Sequence, residues 1–379
     1  MNQQQNYIAS LTSLRGIAAL WVMLFHLDVI FFYRDFGPLV PHELTGFITK
    51  GYLWVDFFFL LSGFVISHVY GEAFATSSER VKLIKSFLWA RFTRIYPLHF
   101  FTLALLVPFA ILVPKFFPGV VDGSWETFMA WSALPDNLLL TNAMNQHVYL
   151  SWNIVSWSIG AEWWAYVCAC FILPFVFNSR PVYKTIALLA SPTVLIGLFL
   201  MRDTLDITFD YGWVRCLAEF TLGVMVYQLF MLRFGQVWLS KNSSFYVMAL
   251  SIVIALHFVL SDILLIPLFT LLLLCAAYNN CSVKQILEKK PLRYLGDISY
   301  SIYMMHGFWF LVYWFPLTYL KNDLKINTLS APVKLGLGIS FVSLTILSAH
   351  YTYHNVEVKA RQFLRNTSFL QKRKSTVNG

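Results

Sequence analysis

The 379-residue sequence predicts an all-α, polytopic integral membrane protein with about ten transmembrane helices and both termini in the cytoplasm. Three observations predict it. Hydrophobic residues make up 58% and charged residues 12% of the chain, whereas an ordinary soluble domain is about a quarter charged. Apolar runs near bilayer length recur at 12–32, 51–70, 95–113, 151–177, 185–201, 213–231, 245–260, 263–279, 298–319 and 335–354. With the N-terminus inside, nineteen Lys and Arg fall on the cytoplasmic side and seven on the other. That bias fixes orientation. It also accounts for the net charge of +9, so the expected partner is a lipid bilayer and no nucleic acid. The layout is a cytoplasmic segment at 1–10, a membrane domain at 11–360 and a basic cytoplasmic tail at 361–379.

The first span has no positive n-region and no small-residue cleavage site, so it is expected to stay as a membrane helix. It carries Arg15 and His26. Charged groups at membrane depth are costly and mark functional interiors. The two residues are three turns plus about 20° apart, so they share one helix face, roughly 16 Å apart along the axis. A snorkelling arginine with a buried histidine is the plainer reading of the pair.

The second span, GYLWVDFFFLLSGFVISHVY, places Asp56 in its outer third. Asp56 is either a buried partner of a cation or a working acid. Ser62-Gly63 permits close helix approach, which suffices to explain it. Arg91 and Arg94, three apart before Pro97, share a face at the mouth of span three. They read either as positive-inside anchors or as a phosphate clamp, because guanidinium matches phosphate geometry. The loop from Pro114 to Leu150 holds Trp125, Trp131, Asp122, Glu126, Asp136, Asn142 and His147. It could hold a sugar or close as an interfacial lid. Glu162 lies midway through span four among Trp157, Trp163, Trp164 and Tyr166, where a carboxylate is paired or kept neutral. His306 falls near the middle of span nine, after Ser299, Tyr300 and Tyr303. At the end of span ten, Glu357 and Arg361 have the spacing of a structural i, i+4 pair. The five cysteines read as small core hydrophobes, with no disulfide, zinc or redox role expected.

Together these motifs resemble the acyltransferase 3 family of membrane O-acetylases, from about Leu11 to Arg361. The family's arginine, ten residues, then histidine is Arg15 and His26 in LRGIAALWVMLFH. Its second-helix run is GYLWVDFFFLLSGF, its arginine pair Arg91 and Arg94, its tryptophan-serine-to-glutamate motif WSIGAEWWAY. LGDISYSIYMMH and the closing Glu357 and Arg361 complete the set. Two positions depart from the family. Trp163 and Trp164 replace a second glutamate and a glutamine that often follow Glu162, which weakens any two-carboxylate mechanism. Lys359 replaces a proline. The resemblance implies acetyl-coenzyme A (or another acyl-CoA) as donor substrate, no bound cofactor or metal, and a sugar hydroxyl of an envelope or exported polysaccharide as acceptor. It places the chain in a bacterial inner membrane. No fused soluble transferase domain is expected after the last helix.

The chemistry of the residues agrees with that implication. A sugar hydroxyl needs a base, and histidine suits the task. His26 is the expected base and His306 its rival. Glu162 or Asp56 would orient the imidazole or bind the acceptor hydroxyl. Arg91 and Arg94, with Arg15 nearby, would bind the donor's phosphates. The other class that fits is a proton-coupled secondary transporter of a polysaccharide precursor or organic anion, which also needs intramembrane Arg, His, Asp and Glu. No internal repeat supports it.

Overall fold

A computed structural model describes residues 8–366 of the chain. Among them there is no strand, and a helix stands at each of the ten positions named above. The long helices are α1 (Ala9–Tyr33), α2 (Trp54–Thr76), α3 (Arg80–Phe116), α4 (Trp157–Asn178), α5 (Pro181–Arg202) and α6 (Gly212–Met231). They are followed by α7 (Asn242–His257), α8 (Asp262–Tyr278), the short α9 (Lys290–Asp297), α10 (Ser299–Asn322) and α11 (Ala331–Thr352). A π-helical turn, Tyr353–Val358, then leads into α12 (Lys359–Asn366).

Among the described residues, seven helices are long and apolar enough to cross a membrane. Helices α7 and α8, with 16 and 17 residues, fall short of that length. Helix α10 has 24 residues but carries Ser299, Ser301 and His306 on a largely buried surface. Its polar face is turned into the protein, which lowers its mean hydropathy without exposing the polar groups to lipid.

Helices α2 and α6 form the centre of the bundle. A Cβ built on Gly63 would lie 1.9 Å from the Phe220 carbonyl oxygen, and one on Gly223 would lie 2.0 Å from that of Leu60. Each glycine admits the other helix's backbone, which is how small residues let membrane helices associate. Helices α1 and α9 meet the same way. A Cβ on Gly296 would lie 2.0 Å from the Thr12 carbonyl oxygen, and one on Gly16 would lie 2.6 Å from the Gly296 nitrogen. That contact places Arg15 beside α9 and the start of α10.

Helix α3 differs from expectation. It begins at Arg80, well before the apolar run, and continues through Pro97, Pro108 and Pro114. Neighbouring elements in a membrane protein satisfy backbone groups that proline frees, so such a helix survives. Arg91 and Arg94 therefore project from inside a helix, on the shared face their spacing implied, well after its start.

In an ordinary helix Gly→Ala stabilises by roughly 0.5–1 kcal/mol. At Gly223 the sign should reverse, with a cost of about 1–3 kcal/mol for overpacking. Thermal unfolding in detergent of Gly223→Ala beside an exposed control, Gly336→Ala, reads this directly.

Candidate active site

A cavity of about 420 Å³ runs between α1, α2, α3, α4 and α10. Ile8, Arg91, Arg94, Tyr353 and Arg361 line one end, and Val55, Phe58, Ser158 and Tyr303 line the other. The second end lies deep in the bundle, where Val55, Ser158 and Tyr303 are all buried. The cavity's α1 wall is Ile8, Leu11, Thr12 and Arg15, and on α10 it reaches Tyr303, one turn before His306. Its size is within the range of small-molecule sites.

The cations at the mouth are not equivalent. Arg94 Nη1 donates to Glu357 Oε1 at 3.0 Å, and Ser301 Oγ donates to Glu357 Oε2 at 3.2 Å. Glu357 therefore belongs to Arg94, which corrects the expected pairing with Arg361. The π-helical turn that contains Glu357 shifts its register, so i, i+4 geometry does not hold across it. Arg361 faces the cavity instead. Arg15 donates from Nε to Ser299 Oγ at 2.9 Å and from Nη2 to the Gly296 carbonyl at 2.8 Å, while also lining the cavity. Arg91 makes no ion pair among the described residues. Its guanidinium sits over the rings of Tyr70 and Tyr166, at 5.6 and 5.9 Å, and its buried Nε has no hydrogen-bond partner.

Asp56 and Glu162 are both engaged away from His26. Arg215 donates to the two Asp56 oxygens from Nε at 2.8 Å and Nη2 at 2.6 Å, and from Nη1 to the Ile207 carbonyl at 3.1 Å. Arg215 is 0% and Asp56 1% exposed, so this is a fully desolvated bidentate pair joining α2 to α6. Glu219 lies 3.8 Å from Arg215 Nε, and neither of its oxygens has a hydrogen bond. Glu162 faces the cavity and accepts from Ser62 Oγ at 2.6 Å and Tyr166 Oη at 2.5 Å. The expectation that either carboxylate orients the imidazole is corrected on geometry: each is held by partners of its own.

His26 is oriented by other groups. Its Nδ1 is 2.9 Å from the Val22 carbonyl and 3.3 Å from His306 Nε2. A carbonyl only accepts, so His26 Nδ1 carries the proton. By the same argument His306, whose Nδ1 is 3.2 Å from the Ile302 carbonyl, is protonated at Nδ1 and accepts at Nε2. The chain of bonds leaves His26 Nε2 as an unprotonated base with no partner among the described residues. His306 is 0% exposed with both nitrogens in use. Neither imidazole lines the cavity, which ends one helical turn before His306, at Tyr303. The Tyr303 and His306 rings are 5.3 Å apart.

The loop from 114 to 150 closes over the far side of the histidine pair. Trp125 packs on Phe315 at 4.5 Å, and Phe128 on Phe310 at 6.2 Å, while Phe310 also contacts His26 at 5.9 Å. Its polar groups are spent locally: Asp122 on Arg34 and Ser124, Asp136 on His147 and Thr141, Asn142 on Ser156. Arg34 in turn lies 3.9 Å over the Trp314 ring. Burial would raise the Asp122 carboxyl, but the Ser124 and Arg34 hydrogen bonds and the Arg34 charge outweigh it and hold it below the usual carboxylate range. The loop thus packs as a cover on this side of α10.

Sequence reasoning missed Arg215 and Glu219, although both stand inside an apolar run and were open to the rule that singled out Arg15. It also missed His68, which lines the cavity with both ring nitrogens unpartnered.

The family model described as "Acyltransferase domain" matches residues 8–350. The chain is 27% identical over 332 residues to acyltransferase MdmB of Streptomyces mycarofaciens, covering 79% of this chain and 78% of that protein. It is 22% identical to O-acetyltransferase OatA of Staphylococcus aureus, covering 97% of this chain and 60% of that one. A 101-residue stretch, 27% of this chain, is 39% identical to protein 2 in the picA locus of Rhizobium radiobacter and covers 44% of it. No solved structure matches.

Removing one member of a buried ion pair costs about 3–5 kcal/mol. Asp56→Asn should therefore lose folded yield and thermal stability, with Arg215→Met alike. A well-folded, inactive Asp56→Asn protein would instead return Asp56 to the reaction. Thermal unfolding beside an activity assay separates the outcomes.

Proposed function

Because the chain belongs to the acyltransferase 3 family and is thereby a membrane O-acyltransferase, we propose that it moves an acyl group, in the simplest case acetyl, from acyl-coenzyme A to a hydroxyl of a cell-envelope or exported carbohydrate. One observation carries the reading. An unpaired guanidinium, Arg91, stands at one end of a cavity whose other end abuts the histidine pair. A donor with phosphates at one end and a thioester on a slender arm has that shape. Guanidinium binds phosphate in a bidentate fork, and the arm extends past Arg15 and Ser62 toward Tyr303. His26 Nε2 takes the proton of the acceptor hydroxyl as that oxygen attacks the thioester carbon. His306 holds the His26 tautomer. Arg361 and Arg15 supplement the positive mouth, while Arg94 keeps α3 on the final turn through Glu357. Glu162, on the cavity wall, is placed to bind a donor amide or the acceptor. Family membership weighs against the transporter reading.

We place the protein in the cytoplasmic membrane of a bacterium with both termini inside. Ile8 and Arg361 line the same mouth, which supports ends on one face, and the Lys and Arg bias makes that face cytoplasmic. A phosphorylated cytoplasmic donor then meets the arginines without crossing the bilayer. On a cysteine-free background, Val148→Cys should be labelled from outside and Glu79→Cys should not. The reverse pattern would invert the protein.

Arg91→Ala should weaken binding of acetyl-coenzyme A by about 10- to 100-fold, the value of one or two charged hydrogen bonds, with stability little changed. Arg94→Ala should cost stability first, because it strands Glu357. Calorimetric titration and thermal unfolding of both variants test the division. Equal donor affinity in Arg91→Ala would remove the phosphate site.

His26→Gln should lower transfer by about 10²–10⁴-fold in a folded protein that still binds donor. His306→Gln keeps an acceptor for His26 Nδ1–H and should stay within about tenfold of wild type, the value of one hydrogen bond, whereas His306→Leu should fall further. Transfer of labelled acetyl by the purified variants measures both. Full activity of His26→Gln would reject His26 as base.

A further inference from the structure

Attack on a thioester puts negative charge on the carbonyl oxygen, and a preorganised donor at that point is commonly the largest catalytic contribution. The deep end of the cavity offers few candidates. Val55, Phe58 and Phe59 are apolar. Glu162 accepts there and does not donate. The Ser62 and Tyr166 hydroxyls spend their protons on Glu162, which leaves Ser158 and Tyr303, joined at 2.7 Å. Ser158 Oγ donates its one proton to the Val155 carbonyl at 3.1 Å. The Tyr303 Oη proton is therefore the one between them, and the phenol donates to Ser158. Tyr303 is 5% exposed. Its ring contacts Phe58 at 5.9 Å on the cavity side and His306 at 5.3 Å on the other. His306 contacts His26 at 4.9 Å. The phenol thus stands between the donor cavity and the base, with its hydroxyl parked on a neutral acceptor that any better acceptor can replace.

We propose that Tyr303 is a catalytic residue whose hydroxyl leaves Ser158 and donates to the thioester carbonyl oxygen, stabilising the oxyanion formed there. The inference rests on the acyl-coenzyme A reading above. In the step, the acceptor oxygen bonds to the thioester carbon and its proton passes to His26 Nε2. The carbonyl π pair moves to oxygen, where Tyr303 Oη–H holds it. The pair then returns, the carbon–sulfur bond breaks, and the departing thiolate takes the proton from His26. Tyr303 keeps its own proton throughout.

Tyr303→Phe and Ser158→Ala delete the same hydrogen bond from opposite sides, and the phenylalanine keeps the ring packing. If the bond only braces the helices, the two variants should lose activity equally. If Tyr303 is the oxyanion donor, Tyr303→Phe should lower kcat by about 10²–10³-fold with the donor KM little moved, while Ser158→Ala stays within about tenfold, the value of one hydrogen bond. The direct readout is infrared difference spectroscopy of bound acetyl-coenzyme A labelled with ¹³C at the carbonyl. The stretch should fall in wild type and Ser158→Ala relative to free donor, and should not fall in Tyr303→Phe. Equal kcat losses, or the same carbonyl frequency in wild type and Tyr303→Phe, would overturn the assignment. A wild-type protein that binds no acetyl-coenzyme A would overturn the donor reading and this inference together, a result distinct from a normal Tyr303→Phe.

Discussion

A charge inside a bilayer must be neutralised by the protein or turned toward water, and this requirement sorts the charged side chains of the chain. Arg215 and Asp56 neutralise each other in a bidentate pair with 0% and 1% exposure. Arg94 and Glu357 do the same at the cavity mouth. Both pairs join elements distant in sequence, so they fix helix positions as well as charge. Such a pair need not add much net stability over apolar packing, yet losing one partner leaves a stranded ion, which is strongly destabilising. What remains after pairing is informative. Arg91, Arg361 and Glu162 face the cavity, where water or a charged ligand answers for them.

The same economy governs the histidines. Two imidazoles 3.3 Å apart between nitrogens do not both hold charge without repulsion in a medium that screens poorly. As neutral rings they can be chained by hydrogen bonds, and the helix supplies the end of each chain: the Val22 carbonyl for His26 and the Ile302 carbonyl for His306. Each acceptor lies four residues before its histidine, so the helix itself selects the tautomer. The consequence is an asymmetric pair. One ring is fully used, and the other keeps a lone pair at Nε2. A base held by a second group is the general pattern for activated sites, and the group against His26, the base proposed above, is another histidine where the sequence pointed to a carboxylate.

How much of this was legible beforehand depended on sequence separation. Period and hydropathy are local, so helices were readable at all ten positions, as was the glycine contact at Gly63. Arg15 and His26 were legible because an intramembrane charge is rare. The partners were not, because pairing is a property of the assembled bundle: Asp56 meets a residue 159 positions away, and Arg94 one 263 positions away. Glu357 and Arg361 misled for a different reason. Their spacing means contact only if the helix keeps its α register, and a π-helical turn intervenes. Arg215 and Glu219 were visible in the sequence but went unweighed, and with them the partner that holds both Asp56 oxygens.

The barrier around His26 follows from packing on both sides. Toward the arginines, the cavity stops at Tyr303 and Phe58. Toward the other face, Phe310 lies against His26 and Trp314 stacks on Phe310 at 5.2 Å. Above them, Ser124 accepts from Trp314 Nε1 at 3.0 Å, and Arg34 covers the ring. Aromatic rings therefore flank His26 on these two sides, while the residue itself stays part-buried. On the acyl-coenzyme A reading proposed above this matters physically, because water beside the proposed base would compete with the acceptor hydroxyl for the acyl group. Polar residues of the loop bond to one another, to Arg34 just past α1, to Ser156 and to Trp314 of α10, so they hold the rings in place. On that reading the hydrophilic donor and acceptor approach from opposite faces, with aromatic rings beside His26 and the hydroxyl of Tyr303, the proposed oxyanion donor, at the deep end of the donor cavity.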